Sequence, residues 1–283
     1  MRTSEELFIL FDTIAASDHR IRVMTLEGSR VNAYITPDIW QDYDITFLVT
    51  DVESFIQSDE WLSVFGDIVF LQKPEAMKLF PPDFPDGWFS YLMLFSDGVK
   101  IDLTLVPLTN IYTYFRQDPL IKVLLDKDGI CPNIQPPSDA KFWVQRPSEI
   151  FVSNCANEFS LACTHAARGL LRNELLFAHW IFEHILHIEL LRLLGYLAGV
   201  RNGFPLNTGK HNKWLLHYLA EKEREELSGT YKLENTDMAW DSLYTAIYLF
   251  ENVLSEVCAS LSYTRPNYLE RAQKYIEVLK GLK

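Results

Sequence analysis

Residues 26–46, LEGSRVNAYITPDIWQDYDIT, contain the most informative pattern of the chain. It begins with Gly28 and Ser29 directly after an apparent strand, and it ends with Asp42 and Asp44 on either side of a tyrosine. Residues i and i+2 of a β-strand project to the same side, so the two carboxylates share a face. Two like charges this close repel each other, and partial burial costs free energy unless something offsets it.

The Asp42 and Asp44 pair alone leaves two interpretations open. It can be an exposed strand face with two solvated carboxylates, or a Mg²⁺ site with room for phosphate oxygens, because this ion prefers oxygen ligands. Gly28 and Ser29 favour the second, since a glycine turn lets backbone N–H groups approach a phosphate. Twelve residues separate Ser29 from Asp42. A strand, a Gly-Ser turn, a spacer and a D-x-D strand in this order are much more specific than any one of them.

A third carboxylate lies further along the chain, in VKIDLTLV. Asp102 interrupts an otherwise apolar strand, and alternation places it on the side of Lys100 and Thr104. It is either a satisfied aspartate of an edge strand or a group that meets a cation or a substrate. Three carboxylates on adjacent strands, opposite a Gly-Ser turn, can hold one or two Mg²⁺ ions. They can also orient an acceptor hydroxyl for attack on a nucleoside α-phosphate.

The first half of the chain predicts a mixed sheet with helices. Short segments rich in β-branched and aromatic residues read as strands: IRVMTLEG, YDITFLVT, GDIVFLQ, WFSYLMLFSDG and VKIDLTLVPL. The last two are joined as a hairpin through Ser96-Asp97-Gly98. Residues 4–16 have the spacing of an amphipathic helix, and residues 51–66 predict one helix or two short ones.

The second half of the chain has a helical period. A proline-rich stretch over residues 127–147 predicts a linker. Beyond it, residues 149–200 form a nearly unbroken helical pattern in which Gly169 is a possible stop or kink. Three more helices are predicted over residues 209–229, 238–261 and 268–282. We therefore predict an α+β protein, with a mixed-sheet domain over residues 1–135 and a helical bundle over residues 136–283.

Composition limits the class of partner. The chain has 283 residues, of which 48% are apolar, and it carries a net charge of −12 from 38 acidic and 26 basic residues. This acidity argues against nucleic acid as a partner, because a phosphate backbone needs a basic surface. It suits a cationic ligand, although it can also serve solubility alone.

No segment predicts a membrane span or a secretion signal. The longest apolar runs are far shorter than about 20 residues, and the N-terminus is acidic and amphipathic rather than basic and then apolar. The four cysteines lack metal-ligand spacing and are expected to be buried free thiols. We expect a cytoplasmic protein; the sequence does not determine its oligomeric state, and a monomer is favoured.

The motifs together resemble the signature of the nucleotidyltransferase superfamily with the polymerase-β-like fold. The surrounding sequence segments are similar to those of the streptomycin-modifying aminoglycoside 6-adenylyltransferases. The similar segments of the sheet half are LEGSR, QDYDI, VTDVESF, QKPEAMKLFPP, WFSYLMLFSDG, KIDLTLVPL and KVLLDKD, and those of the helical half are RNELLFA and GKHNKWLLHYL. The resemblance covers nearly the whole chain and is densest over residues 24–128.

The resemblance implies a reaction and a metal. AMP would pass from ATP to the 6-hydroxyl of streptomycin, with release of pyrophosphate, and this modification of the drug would confer antibiotic resistance. Asp42 and Asp44 would bind Mg²⁺ and, through it, the phosphates of ATP. Asp102 occupies the position of the third carboxylate, either as a metal ligand or as the base that takes the acceptor proton.

The resemblance also implies a set of phosphate contacts. Ser29, the Gly28 backbone and Arg30 would cradle the β and γ phosphates. Related enzymes send a basic residue from the helical domain to the triphosphate, and Lys210 and Lys213 are the candidates here, unless they are ordinary surface lysines. Arg172 in RNELLFA is a weaker candidate.

Streptomycin carries two guanidinium groups, which carboxylates and aromatic faces recognise. Trp88, Glu158 and Glu174 are therefore candidate acceptor contacts, with a core aromatic and solvated helix faces as the alternatives. The spacing of Arg172 and His179 is also similar to a motif of a helical ribonuclease family, which the acidity of the chain disfavours. The other rivals are transfer to a different acceptor, such as another aminoglycoside or a protein side chain, and an antitoxin-like nucleotide-binding module.

Overall fold

The structure is a computed structural model in which residues 1–82 and 84–282 are described. The chain divides into two compact units, residues 1–139 and 140–283. A sheet with short helices forms the first unit and helices form the second, which confirms the predicted α+β class. The boundary falls after Asp139, where the sequence predicted residue 135.

A mixed sheet of six strands is the centre of the first unit as far as that unit is described. The strands are β1 (Ile21–Glu27), β2 (Tyr43–Val49), β3 (Ile68–Gln72), β4 (Phe89–Phe95), β5 (Lys100–Pro107) and β6 (Ile121–Asp126). Their order across the sheet is β3-β4-β5-β2-β1-β6, with β2 and β5 parallel and the other neighbours antiparallel. The five predicted strands and the β4–β5 hairpin are confirmed, whereas β6 was not predicted.

One face of this sheet is apolar and is covered by α1 (Ser4–Ser17). Thr3 begins this helix with a capping box, in which its side chain and that of Glu6 satisfy each other's backbone N–H groups. The helix buries Leu7 and Phe11 against Tyr43 and its apolar neighbours on β2. Two short helices follow β2, as α2 (Glu53–Ile56) and a 3₁₀ helix (Glu60–Phe65), so the two-helix form of that prediction is confirmed.

The opposite face is divided between apolar and polar side chains. At one end, α3 (Ile111–Gln117) packs Tyr114 near Val23, Leu48 and Val106 of the sheet. Trp88 belongs to this cluster and stacks on Phe84 with ring centroids 5.7 Å apart. The other end of the same face carries the carboxylates and hydroxyls of β1, β2 and β5. The sequence did not predict α3.

The second unit is a helical bundle. Its α-helices are α4 (Glu149–Leu171), α5 (Leu175–Ile181), α6 (His187–Asn202), α7 (Glu221–Gly229), α8 (Thr236–Leu261) and α9 (Tyr268–Gly281), and a π-helical turn (Phe182–Leu186) joins α5 to α6. The stacked rings of Phe159 and Phe250, 3.8 Å apart, lie in its core. Across the described chain, no helix is both long and apolar enough to cross a membrane.

Two helix predictions in this unit need correction. The expected continuous helix breaks after Leu171, where Asn173 has a positive φ of 56°. Gly169 lies inside α4 and neither stops nor kinks it; the ring of Phe177 packs where a Cβ at this position would lie. The segment over residues 209–229 is not one helix, since two short 3₁₀ turns (Lys210–Asn212 and Leu215–Tyr218) precede α7.

Candidate active site

Three carboxylates lie in one row across neighbouring strands. The parallel pairing of β2 with β5 places Asp44 opposite Asp102, and the antiparallel pairing of β1 with β2 places Glu27 opposite Asp44. Directly opposed residues share a face of the sheet, so the three side chains project to the same side. Asp42 precedes β2 by one residue, two positions before Asp44. The sheet therefore gathers Asp42, Asp44 and Asp102, as the sequence predicted, and adds Glu27.

Lys100 links two of these carboxylates. Its ammonium donates to Asp42 Oδ2 and to Asp102 Oδ2, the latter at 2.7 Å. Although burial alone would lower it, the hydrogen bonds to Asp102 and Asp42 raise the pKa of Lys100. The sequence placed Lys100 on the face of Asp102 without giving it a role. The structure makes it the cation that these carboxylates share.

One ammonium does not neutralise the group of carboxylates. Burial, with the charges of Asp102, Asp42 and Glu27 in addition, raises the pKa of Asp44 to about 7. Burial also raises the pKa of Asp102, despite its hydrogen bond from Lys100. Asp102 Oδ1 is buried without a hydrogen-bond partner. The site is therefore short of positive charge and of hydrogen-bond donors.

Gly28 makes this arrangement possible by its close approach to Asp44. Its φ is +68°, and a Cβ at this position would overlap Asp44 Oδ2. Its N–H donates to the Leu120 carbonyl at 3.1 Å, so the predicted phosphate contact from this backbone group conflicts with an existing hydrogen bond. A 3₁₀ helix (Gly28–Val31) begins here, with Ser29 half-buried in its first turn. The absence of a side chain at Gly28 thus leaves room for the Asp44 carboxylate.

Arg30 closes the loop between the Gly-Ser turn and β2. Its Nε donates to the Asp42 carbonyl and its Nη2 to the Gln41 carbonyl, both at 2.8 Å. The guanidinium lies 3.5 Å from the centre of the Tyr43 ring. These contacts hold the backbone that presents Asp42. The phosphate contact predicted for Arg30 stays a prediction.

Glu27 is a site residue that the sequence analysis missed. Its Oε1 accepts hydrogen bonds from the hydroxyls of Thr46 and Tyr114, and the Tyr114 hydroxyl also bonds to that of Thr25. Burial raises the pKa of Glu27, although these hydrogen bonds oppose the shift. The available signal was its position at the end of β1, two residues after Thr25 on the same face. Its buried partner Tyr114 comes from the helix that the sequence did not predict.

The remaining predicted contacts lie mostly in the second unit. Lys210 is exposed in its 3₁₀ turn, and exposed Lys213 places Nζ 4.8 Å from the Trp214 ring centroid. Glu158 is exposed on α4. Their assigned roles stay predictions.

Arg172 and His179 do not lie on one helical segment. Arg172 pairs with Glu174 at 2.7 Å in the turn between α4 and α5. His179 lies on α5, where its Nε2 is 2.5 Å from the Leu233 carbonyl. Because the helix breaks between Arg172 and His179, they do not share one helix face, and the geometric argument for the ribonuclease-like interpretation does not hold.

Trp88 is more buried than an acceptor contact on an open wall would be. It is 4% exposed, and its indole N–H is buried without a hydrogen-bond partner. Trp88 is therefore mainly a core residue, which was the alternative to an acceptor contact.

The donor set fits a hard divalent cation. Carboxylate oxygens are the ligands that Mg²⁺ prefers, and the unpartnered Asp102 Oδ1 and the raised pKa of Asp44 both indicate a need for positive charge. Within residues 1–82 and 84–282, however, no three acidic, histidine or cysteine side chains already converge as a metal site. Lys100 engages Asp42 and Asp102 in this structure. Metal binding would therefore rearrange these contacts.

Comparison with known proteins identifies the family. The model of the streptomycin adenylyltransferase family matches residues 1–279. The chain belongs to this family. The family's match thus includes the carboxylate row and the helical unit alike.

Individual relatives of this family member match over almost the full length. The aminoglycoside 6-adenylyltransferases of Bacillus subtilis (strain 168) and Campylobacter jejuni are each 43% identical to it, over 278 and 276 residues. These matches cover 98% of this chain, with 98% of the first relative and 95% of the second. That of Staphylococcus aureus is 38% identical over 277 residues, 98% of both chains. A crystal structure of an aminoglycoside 6-adenyltransferase from Bacillus subtilis is 39% identical, covers 99% of both chains and gives a TM-score of 0.49.

Proposed function

We propose that this protein transfers AMP from ATP to the 6-hydroxyl of streptomycin, releasing pyrophosphate and inactivating the antibiotic. The observation that carries the proposal is the register of β2 with β5, which sets Asp44 opposite Asp102 beside the Gly28 turn. The relatives named aminoglycoside 6-adenylyltransferases support the acceptor class. The proposal places the reaction in the cytoplasm, where ATP is available.

Asp42 and Asp44 would hold Mg²⁺ in this proposal. When bound, the ion supplies positive charge that neutralises the phosphates and orients them for displacement. The surroundings of Asp44 support this role. Gly28 leaves room for its carboxylate, while Asp102 faces it across the β2–β5 pair.

Asp102 is the residue that we assign to the acceptor proton. Its Oδ2 is held by Lys100, whereas Oδ1 has no partner and can accept a hydrogen bond from a hydroxyl. A raised pKa also makes its carboxylate a stronger base than an ordinary aspartate. The proton of the 6-hydroxyl would move to Oδ1 as the oxygen attacks the α-phosphorus, and pyrophosphate would leave.

The triphosphate needs further contacts from the chain. The Ser29 hydroxyl lies in the first turn after Gly28, at the edge of the carboxylate group. Lys210 or Lys213 would supply positive charge from the second unit, because both are exposed and neither forms a salt bridge among the described residues. The first unit would thus bind the nucleotide, and the helical unit would add phosphate and acceptor contacts, including those proposed for Glu158 and Glu174.

The test is pyrophosphate release from ATP and Mg²⁺ with a panel of aminoglycosides. We expect release with streptomycin, none without a divalent cation, and a product whose NMR spectrum places AMP on the 6-hydroxyl. Pyrophosphate release only with a different aminoglycoside would support the proposed transferase activity and would replace streptomycin as the acceptor. No release with any member of the panel would contradict the proposal.

A further inference from the structure

The guanidinium of Arg30 donates to the backbone and to no carboxylate. Its Nε and Nη2 form the edge with which an arginine binds a carboxylate or a phosphate through two parallel N–H groups. This edge is occupied, because Nε donates to the Asp42 carbonyl and Nη2 to the Gln41 carbonyl, both at 2.8 Å. Within the described residues Arg30 forms no salt bridge. A phosphate that bound this edge would have to displace two backbone hydrogen bonds.

One face of the same guanidinium is covered by an aromatic ring. It lies 3.5 Å from the centre of the Tyr43 ring, within the range of a cation–π contact. Tyr43 is 4% exposed and projects toward α1, where its ring packs against Phe8 and Phe11. Asp44, the next residue of β2, projects to the opposite side of the sheet. Arg30 therefore contacts β2 from the α1 side, whereas the carboxylate row lies on the other side.

Further hydrogen bonds join this contact to α1 and to the Gly-Ser turn. The Tyr43 hydroxyl bonds at 2.8 Å to the hydroxyl of Ser4, which is the first residue of α1. The Ser4 hydroxyl also lies 3.5 Å from Arg30 Nη1. At the end of the loop, Gln41 Nε2 donates to the Ser29 carbonyl at 3.4 Å. The two ends of the loop before β2 are thus joined to each other and to α1.

Asp42 lies outside the strand pairing that holds the other carboxylates of the site. β2 pairs with β5 from Tyr43 and with β1 from Asp44, so neither pairing includes Asp42. Its side chain bonds to Lys100, and its carbonyl accepts from Arg30. A side chain on a loop is held less precisely than one on a strand, unless its neighbours fix the backbone. Arg30 supplies this support to the backbone of Asp42.

We infer that Arg30 is a positioning residue of the proposed metal site, which fixes Asp42 from the α1 side of the sheet and does not contact the phosphates. The inference rests on the proposed function for the role of Asp42 as a metal ligand. The charge of Arg30 alone would act in the opposite direction, because a guanidinium repels a metal cation. Loss of Arg30 should therefore weaken metal binding if the residue positions Asp42, and should strengthen it if only the charge acts.

The test measures Mn²⁺ binding by electron paramagnetic resonance without nucleotide, so that no phosphate is present. Mn²⁺ takes the same carboxylate ligands as Mg²⁺. Arg30→Lys keeps the charge and removes the planar fork. We expect Arg30→Lys and Arg30→Ala each to raise the Kd for Mn²⁺ about tenfold, the effect typical of a group that holds a metal ligand in place. Arg22→Lys is the matched control, because Arg22 pairs with Asp128, and it should leave the Kd within about twofold of wild type.

Kinetics supply the second readout. In both Arg30 variants kcat should fall about a hundredfold, while the KM for ATP at saturating Mg²⁺ stays within about threefold of wild type. A phosphate contact would give a different pattern. The KM for ATP would rise in Arg30→Ala and return toward wild type in Arg30→Lys, and the Kd for Mn²⁺ would not change. That pattern would overturn the inference.

The remaining outcomes separate the inference from the proposed function. Circular dichroism checks folding, and Arg30→Lys decides the outcome if Arg30→Ala does not fold. A wild-type protein without measurable Mn²⁺ affinity, or a Kd that is unchanged or lower in the folded variants, would overturn the inference. Pyrophosphate release by the wild type with streptomycin would still support the proposed function. Mn²⁺ binding that depends on Arg30, in a protein that releases no pyrophosphate, would support the inference and contradict the proposed function.

Discussion

The two faces of β2 share one backbone and have opposite chemistry. Toward α1, Tyr43, Ile45 and Phe47 are buried among apolar side chains. Toward the other side, Asp44 is crowded by like charges and the Thr46 hydroxyl donates to half-buried Glu27. The apolar face stabilises the fold, whereas the polar face concentrates charge that the fold alone does not need. Substitutions on the two faces should therefore separate stability from activity.

The largest expected effect is on the polar face. Asp44→Asn should reduce turnover on the order of a thousandfold, because the proposed Mg²⁺ loses a ligand at the point where charge develops. The folded-state pKa of Asp44, about 7, exceeds that of an unfolded aspartate, so its ionisation destabilises the fold at neutral pH. The variant should thus melt at the wild-type temperature or above it. Steady-state kinetics and thermal denaturation check both parts, with exposed Asp67→Asn as the control. Near-normal turnover would rule out the metal role.

The apolar face should show the reverse behaviour. Phe47 is fully buried, and Phe47→Ala should lower the free energy of unfolding by about 3–5 kcal/mol through lost burial and the cavity left behind. Urea denaturation measures this change. Val69→Ala, on the exposed side of β3, is the control and should change the free energy of unfolding by less than about 0.5 kcal/mol. A loss below about 1 kcal/mol for Phe47→Ala would show that this face does not carry the stability assigned to it.

The next largest effect on turnover is expected at Gly28, which lies against the Asp44 carboxylate. Gly28→Ala adds strain at a positive φ and a Cβ that overlaps Asp44 Oδ2, so turnover should fall about a hundredfold as the carboxylate shifts. Gly129→Ala is a matched control, because Gly129 has a φ of +65° and nothing within 4 Å of its added Cβ. It should carry the backbone strain alone. Equal turnover in the two variants would show that contact with Asp44 is unimportant.

The smallest expected effect concerns the attachment of α1 over the apolar face. The Asp97 carboxylate accepts hydrogen bonds from the backbone N–H and the guanidinium of Arg2, and these hold the pKa of Asp97 well below its usual range. A lowered folded-state pKa contributes stability above about pH 4, which is lost as the pH falls further. Asp97→Asn should cost about 1 kcal/mol at pH 7 and progressively less at pH 3. Denaturation at both pH values measures the difference, and a cost that is constant with pH would contradict the ionic contribution.

The sequence predicted the parts of the fold that have strong local patterns. The five strands with clear apolar alternation, the hairpin turn at Ser96-Asp97-Gly98 and the long helices α8 and α9 are all confirmed. The misses are short elements whose local preference is weak or misleading. Helix α3 consists largely of aromatic and β-branched residues, which favour strands. Strand β6 follows Pro119 and pairs at the sheet edge with β1, and this pairing is a long-range property.

The carboxylate row could be anticipated because strand alternation fixes which residues share a face. The alternation of β5 placed Lys100 beside Asp102, but its second bond, to Asp42, depends on the β2–β5 register. Glu27 was missed because its burial depends on Tyr114. Arg30 was assigned to phosphates, whereas its geometry against Tyr43 requires the folded loop. Local sequence patterns predicted most of the residues of the site, whereas the hydrogen-bond partners of these residues depend on tertiary contacts.

The position of Lys100 has a consequence for how the site acquires positive charge. Its ammonium already bridges Asp42 and Asp102. A divalent ion that bound these oxygens would therefore displace the ammonium and would not enter a site that lacks a cation. The positive charge added to the site would then be closer to one unit than to two. An ion that arrives with ATP brings its own phosphate ligands to this exchange, whereas a free ion does not. In the proposed function, Lys100 would hold Asp42 and Asp102 together between turnovers and would favour binding of the metal as a complex with the nucleotide.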